Sequence, residues 1–411
     1  MPEKAEIKNK WEAVELGSLC REIVGGGTPS TKIQNYWNGQ NPWITSKWLG
    51  KNLYLKNGEK MISDEAIKNS ATHIVPENSL IFATRVGVGK VGINKIPMVI
   101  NQDLAGLVIS NEADPLFVAY QLKTDRVQQY VVSLKRGATI QGITREDLKQ
   151  IIIHKPALNE QKAIAGMLMT IQKAITGQEE LIDKLKELKR SMMQFLFAHG
   201  TKGEKTKITE IGEIPESWEL VGLASVAKIE RGKFDHRPRN APQFYGGNYP
   251  FIQTGDITKS NGHIKKYSQT LNDAGLAISK NFPVGTIFIT IAANIGYTAI
   301  SEIEMACPDS LVGISPYLHT INVEFLNYYL TTQQSIMDAM APRGTQKNIN
   351  IEFLKPWKII LPSIKEQEKI AGLLLSIDKK IESAQNKLSV YQSLFKTLLH
   401  ELMSGERKVK I

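Results

Sequence analysis

Apolar and polar residues keep one period over the first third of this chain and another afterwards, and the change then repeats. Between about residue 11 and residue 155 the apolar positions come in short runs, such as Ser79-Leu80-Ile81-Phe82-Ala83 and Leu107-Val108-Ile109. Turn signals at Gly25-Gly26-Gly27 and Asn57-Gly58 cut them. Short apolar runs bounded by glycine and asparagine predict strands. Leu116–Leu134 has helical spacing instead, Pro156 closes the segment, and Asn159 offers an N-cap for a helix starting there.

From Glu160 to about His199 the pattern becomes a heptad. With Ile164 as position a, the a residues are Ile164, Ile171, Gln178, Leu185 and Met192, and the d residues are Leu168, Ile175, Ile182, Lys189 and Leu196. Only Gln178 and Lys189 break the apolar seam, which predicts a long helix with one narrow buried stripe. A second heptad is cleaner: a residues Ile370, Ile377, Ala384, Tyr391 and Leu398, d residues Leu374, Ile381, Leu388, Phe395 and Leu402. Ser363 and Glu366 have the spacing of a capping box, and Gly200 and Gly405 stand where helix C-caps belong. Each helix is roughly 60 Å long at 1.5 Å per residue.

The repetition extends beyond the heptads. Trp11 pairs with Trp218, Pro76 with Pro283, Gly89 with Gly296, Leu104 with Leu311 and Gly106 with Gly313. Pro156, Glu160-Gln161 and Ile164-Ala165-Gly166 return as Pro362, Glu366-Gln367 and Ile370-Ala371-Gly372. A repeat of about 206 residues is a duplicated domain, since solenoid arrays repeat every 20–50. The expected fold is α+β: two tandem domains, each followed by a long helix. A narrow stripe must be buried, either on the helix's own domain or on the other helix. Two such helices in one chain favour mutual pairing, and pseudo-two-fold symmetry makes the pair an antiparallel coiled coil, a rod bearing two similar domains. The expected boundaries are 1–155 and 218–361 for the domains, 156–199 and 362–405 for the helices, 200–217 for a linker and 406–411 for a basic tail.

Composition narrows the class. With 411 residues, 42% of them hydrophobic, each half can bury its own core. No stretch approaches the ~18 uninterrupted apolar residues of a membrane span, and Met1-Pro2-Glu3-Lys4-Ala5-Glu6 has no apolar signal core. The two cysteines, Cys20 and Cys307, occupy non-equivalent places with no CxxC spacing, so neither a disulfide nor a zinc site is expected, and a cytoplasmic location fits. A net charge of +10 points to an anionic partner, most commonly nucleic acid.

Catalytic signatures are weak. Gly87-Val-Gly89-Lys90-Val-Gly92 matches a dinucleotide fingerprint in letters, yet no helix start comes after it, and only Gly296 persists in the second copy. A β-turn is the better reading. Asn41-Pro42-Trp43 lacks the second proline of an amino-methyltransferase motif, and no E-x-K comes after Pro308-Asp309 as in nucleases. The seven histidines include no HxxxH or HxH pair, so no metal site is expected.

There remains a set of polar, basic and glycine-bearing loops at matching places. Thr45 and Lys47 correspond to Thr254 and Asp256; Arg85 and Lys90 flank the turn matched by Asn294 and Tyr297; Asn101-Gln102 matches Pro308-Asp309. Arg136, Thr139 and Gln141 match Arg343, Thr345, Gln346, Lys347 and Asn348. Side chains of these types read base edges and hold phosphates, or else sit in solvated turns. The frameworks correspond while the loops differ, as expected if the halves read different DNA sequences.

Several of these segments carry a family resemblance. Gly25-Gly26-Gly27-Thr28-Pro29-Ser30, Pro42-Trp43-Ile44-Thr45, Gly344-Thr345-Gln346, the Pro-x-x-x-Glu-Gln starts of both helices and Gly212-Glu213-Ile214-Pro215-Glu216-Ser217-Trp218 resemble the DNA specificity subunits of Type I restriction–modification systems. The first copy departs from the family's Gly-x-Thr-Gln, reading Gly137-Ala138-Thr139-Ile140-Gln141. The resemblance implies two target-recognition domains reading a bipartite site in double-stranded DNA, with paired helices as spacer. It implies two methyltransferase subunits as partners, carrying S-adenosylmethionine, and motor–nuclease subunits carrying ATP and Mg. The chain itself would hold no cofactor and catalyse nothing, directing DNA methylation and cleavage by others. The competing readings are a stand-alone two-domain DNA-binding regulator or architectural protein, a self-contained methyltransferase and a coiled-coil adaptor.

Overall fold

The computed structural model describes residues 11–50, 53–137, 141–292, 294–342 and 347–409. Two compact units divide the chain: Met1–Glu179 with Asn386–Ile411, and Glu180–Gln385. The division falls inside both long helices, Leu158–His199 and Ile364–Met403, so each unit contains one half of each.

The first unit is layered around a five-stranded sheet, ordered Cys20–Gly25, Leu104–Ile109, Leu80–Ala83, Val91–Asn94, Tyr54–Leu55. Its central strands are apolar at nearly every position because both faces are covered. Leu80 and Phe82 pack into a helical layer with Phe117, Val118 and Leu122. Ile81 and Ala83 point the other way, onto Ile44, Val75, Met98 and Ile100. Those four lie in a second sheet, ordered Lys60–Ile62, Asn41–Ile44, Met98–Ile100, Ile74–Val75. Glu12–Glu15 pairs with Ile152–Lys155 beside the long helix.

The second unit repeats this plan strand for strand. Its main sheet runs Ala227–Arg231, Leu311–Pro316, Ile287–Thr290, Thr298–Ser301, His263–Ile264, and its second sheet Gln269–Leu271, Tyr245–Phe251, Met305–Ala306, Asn281–Phe282. Ile287 and Ile289 face the helices while Phe288 faces Ile252 and Met305, the same division of alternate side chains. The antiparallel hairpin Thr206–Thr209/Gly212–Pro215 lies in the stretch read as a linker. The single helix expected over Leu116–Leu134 is two, Pro115–Leu122 and Asp125–Ser133, broken at Lys123-Thr124.

Every a and d residue of both heptads is buried or half-buried. In the first unit Ile164, Leu168 and Met169 share a core with Leu398, Leu402 and Met403. In the second, Leu196 and Phe197 share one with Ile370, Ala371 and Leu374. The start of each helix therefore packs beside the end of the other, and the pair is antiparallel. Lys189, the polar d residue, donates to both carboxylate oxygens of Asp378 at 2.7 and 2.8 Å, and Tyr328 donates to the same carboxylate at 2.5 Å. Both helices end on a glycine with left-handed backbone, Gly200 at φ 66° and Gly405 at φ 71°.

The Glu-Gln pair at each helix start joins helix to domain. Gln161 is buried: its Oε1 accepts from the backbone N–H of Asp114 at 2.8 Å and its Nε2 donates to the Pro156 carbonyl at 2.9 Å. Gln367 does the same with Asn322 at 2.7 Å and Pro362 at 2.9 Å. Asp114 and Asn322 are themselves N-caps, accepting from Phe117 and Phe325. Each glutamine thus satisfies the backbone donor of a capping residue while fixing the long helix against its domain.

Two cap expectations change. The first long helix begins at Leu158, so Asn159 lies within its first turn. Glu366 does not close a capping box; its buried carboxylate accepts from the Thr201 N–H (3.1 Å), Trp218 Nε1 (3.3 Å) and Lys202 (2.8 Å). Those partners, far away in sequence, outcompete the local cap. Burial alone would raise this carboxyl's pKa, but the lysine and the two N–H donors together hold it below the usual range.

Truncating Gln367 to Ala leaves the Asn322 donor and the Pro362 carbonyl unpaired; a loss of about 1–3 kcal/mol is expected, read by urea denaturation. Glu366→Gln should cost a similar amount at neutral pH. Because the folded carboxyl is depressed, its contribution is present above the unfolded pKa and fades as pH falls through the folded one, so the gap between wild type and E366Q should close on acidification.

Candidate nucleic-acid interface

In the first unit the candidate interface begins with a close crossing. After the strand Cys20–Gly25 the chain passes against the turn at Ile100–Gln102, where Gly27 N–H donates to the Ile100 carbonyl at 3.0 Å. A Cβ on Gly26 would lie 2.2 Å from the Asn101 carbonyl oxygen, so only glycine allows the approach. In the second unit Lys233 N–H donates to the Cys307 carbonyl at 2.9 Å, and a Cβ on Gly232 would lie 2.2 Å from the Pro308 carbonyl oxygen.

The surrounding loops gather on this crossing. Thr84 and Arg85 N–H groups donate to the Asp103 carbonyl at 2.8 and 3.3 Å, Ile143 N–H reaches the Thr84 carbonyl at 2.8 Å, and Arg136 and Gly142 pair through their backbones at 2.9 Å. Asn101 N–H donates to Ile44, next to Thr45. Thr45, Lys47, Arg85, Lys90, Gln102, Arg136 and Gln141 therefore belong to one contiguous set of loops. Of the glycine pattern, Gly87 and Gly89 lie in the turn between Leu80–Ala83 and Val91–Asn94, and Gly92 lies within the second strand. In the second unit, Ile291 N–H donates to Ser310, Ile349 N–H donates to Ile291, and Asn348 bridges Ala292, bringing Asn294, Tyr297, Asp309, Lys347 and Asn348 together. Ile252 N–H donates to the Ala306 carbonyl and brings Thr254 and Asp256 alongside.

Their side chains do different things. Lys47, Arg85, Lys90, Gln141, Asn294 and Tyr297 are exposed. Asn101 is buried and spends its amide on Asp103, donating at 3.0 Å and accepting at 3.2 Å. Thr45 donates to Glu59 at 2.6 Å. Gln102 accepts from Thr28 at 2.5 Å. Asp256 accepts from Gln253 N–H and Ser268, both at 2.8 Å, capping its own helix. Arg136 pairs with Asp147 at 3.0 Å, and Lys347 with Asp338 at 2.8 Å. The Asp147 carboxyl lies below the usual range, chiefly through the Thr144 N–H and hydroxyl, with Arg136 adding to them. Thr139, Arg343, Thr345 and Gln346 lie outside the described residues.

Sequence reasoning missed one set. Arg231, Arg237 and Arg239 all converge on Asp309: Arg231 Nε donates to its carbonyl at 2.6 Å, Arg237 to its carboxylate at 2.9 Å, and Arg239 to the other carboxylate oxygen. Their signal was the spacing Arg-x5-Arg-x-Arg, which begins on the last residue of the strand Ala227–Arg231, where the first copy has Gly25. No group of His, Cys, Asp or Glu suited to a metal occurs among the described residues. No described helix is long and apolar enough to cross a membrane.

The sequence model of the Type I restriction modification DNA specificity domain matches residues 8–187 and again 215–390. This chain belongs to that family. Among its relatives, the specificity subunit of the Type I restriction enzyme MjaIX of Methanocaldococcus jannaschii is 25% identical over 430 residues, covering 98% of this chain and 95% of the relative. The MjaVIII specificity subunit of the same organism is 27% identical, covering 98% and 94%. A solved S subunit of a Type I restriction–modification system from M. genitalium superposes with a TM-score of 0.62 at 17% identity, covering 100% of this chain and 99% of that one, which supports the shared fold.

The glycine crossing gives the specificity fold a direct test. Gly232→Ala must displace either the 231–233 segment or the Pro308 turn; overpacking of this kind costs about 1–3 kcal/mol. The expected result is a lowered denaturation midpoint with the second unit's loops displaced and the first unit's loops intact, checked by amide hydrogen exchange.

Proposed function

We propose that this chain is the DNA-reading subunit of a Type I restriction–modification complex, binding double-stranded DNA at a bipartite site and directing methyltransferase subunits to it. The observation that carries this is the duplication itself. Two units share one framework to the level of the buried glutamine pin and the glycine crossing, while the exposed loops on that framework differ in most of their polar side chains. Such a protein reads two unlike half-sites. The net charge of +10 supplies phosphate attraction, which makes affinity fall with salt. Methylation, with S-adenosylmethionine, belongs to two methyltransferase partners, and ATP-driven cleavage to motor–nuclease partners. The exposed helix residues Glu187, Arg190, Lys379 and Lys380 offer a charged docking face. Free energies of two short readings add when their separation is fixed, and we assign that fixing to the two helices that run from one unit into the other. The cytoplasm is the matching location.

The experiment is a modified-base map of cells expressing this chain with its methyltransferase subunit, against cells lacking only this chain. Methylation at one bipartite motif that vanishes in the control is expected; soluble, assembled protein without such a motif favours a stand-alone DNA-binding regulator. Inserting one heptad into each helix, after Glu179 and after Gln385, keeps the a/d seam and adds about 10 Å. The same half-sites should then be methylated with a spacer longer by roughly three base pairs.

A further inference from the structure

The second unit presents a pair of arginines whose donors are oriented but unspent, Arg231 at the end of the strand Ala227–Arg231 and Arg239 in the loop after it. Asp309 is the centre. Its carboxylate, 29% exposed, accepts from Arg237 and Arg239, and its backbone carbonyl accepts from Arg231 Nε at 2.6 Å. The three arginines are not equivalent. Arg237 gives Nη1 to the carbonyls of Phe234 (2.7 Å) and His236 (2.9 Å) and Nη2 to Asp309, so its fork is turned inward and shapes the loop. Among the described residues Arg239 gives only Nη2, and Arg231 only Nε. A guanidinium has five N–H donors in a fixed plane, so most of each remains for something else. Both are exposed. Arg231 is held at the end of the strand Ala227–Arg231, and the loop that carries Arg239 is tied down: Tyr245 donates to the Arg239 carbonyl, and His236 packs on Phe244 with ring centroids 4.7 Å apart.

We propose that Arg239 and Arg231 read guanine in the half-site recognised by the second unit, and that Asp309 is the positioning residue that aims them rather than a base contact itself. This rests on the proposed DNA-reading function. A planar fork held from one side, by the Asp309 carboxylate for Arg239 and by the Asp309 carbonyl for Arg231, presents its remaining donors as a pair, which matches the O6 and N7 acceptors of guanine in the major groove. A phosphate contact does not need that orientation; an exposed, freely rotating lysine serves as well.

The first unit shows the same buttress with a different load. Gln102 occupies the place of Asp309 in the turn and accepts from Thr28 at 2.5 Å, in the loop just past its own glycine crossing. Position 102 in one unit and 309 in the other thus hold the side chains that the crossing loop presents. Changing that one residue with its loop changes what is read and leaves the strands untouched.

The test is the methylation motif of the assembled complex for wild type, R239A, R239K, R231A and D309N. R239A is expected to relax one G·C position of one half-site, with roughly a ten- to hundred-fold loss of preference there, while the other half-site stays as in wild type. R239K keeps the charge but not the fork and should relax the same position. D309N should relax it too, without creating a new preference. A uniform drop in methylation with the motif intact in R239A and R231A would mean phosphate contact and overturns the proposal, as does relaxation at an A·T position. If wild type yields no bipartite motif, the functional reading fails and the proposal with it; if wild type yields one and the arginine variants leave it unchanged, only the proposal fails.

Discussion

Everything in this molecule depends on how a long helix is fixed to a β-rich domain. An a/d stripe buries a helix but does not stop it sliding or rotating, since apolar contact has no direction. The buried glutamines supply direction. Gln161 and Gln367 each join a proline carbonyl at the helix start to the backbone N–H of a capping residue in the domain. A shift of one residue along the helix would leave those buried groups unpaired, at about 1–3 kcal/mol each. At the start of the second helix Glu366 adds a carboxylate shared by Thr201, Trp218 and Lys202. Geometry set at this joint is carried along the helix.

The second constraint is the crossing of Gly26 and Gly232 over the turns at Asn101 and Pro308. It separates the framework from the loops proposed to read DNA. On the framework side, alternate side chains of the central strands divide between a helical layer and a second sheet, and the division is the same in both copies. On the surface side, Thr28–Gln102 in one copy becomes an arginine cluster on Asp309 in the other. A protein built this way can change its loops without repacking its core, because the two kinds of residue meet at the glycines.

The fold was largely legible in the sequence because its signals are local. Heptads at Ile164–Leu196 and Ile370–Leu402, glycine caps at Gly200 and Gly405 and the paired Pro-x-x-x-Glu-Gln motifs are each legible in a short stretch of sequence, although Gln161, Glu366 and Gln367 also take partners far along the chain. The break at Lys123-Thr124 and the hairpin at Thr206–Pro215 were less so, since the segments read the same with or without them. Among the candidate contacts, the sequence named loops that the fold brings together but could not sort their side chains. Asn101 and Arg85 have the same kind of local context, yet one is buried against Asp103 and the other is exposed.

By itself, then, the sequence determined the duplication, the two long antiparallel helices, the α+β class and the loops that differ between copies, all from periodicity and short-range chemistry. Only the tertiary structure decided which polar groups are spent inside the protein. Glu366 leaves its expected cap for Trp218, far away in sequence, and Asp309 gathers arginines up to 78 residues away. Those choices depend on distant hydrogen-bonding partners competing for the same carboxylate. Beyond the few residues of a helical turn or a cap, distance along the chain does not give distance in space.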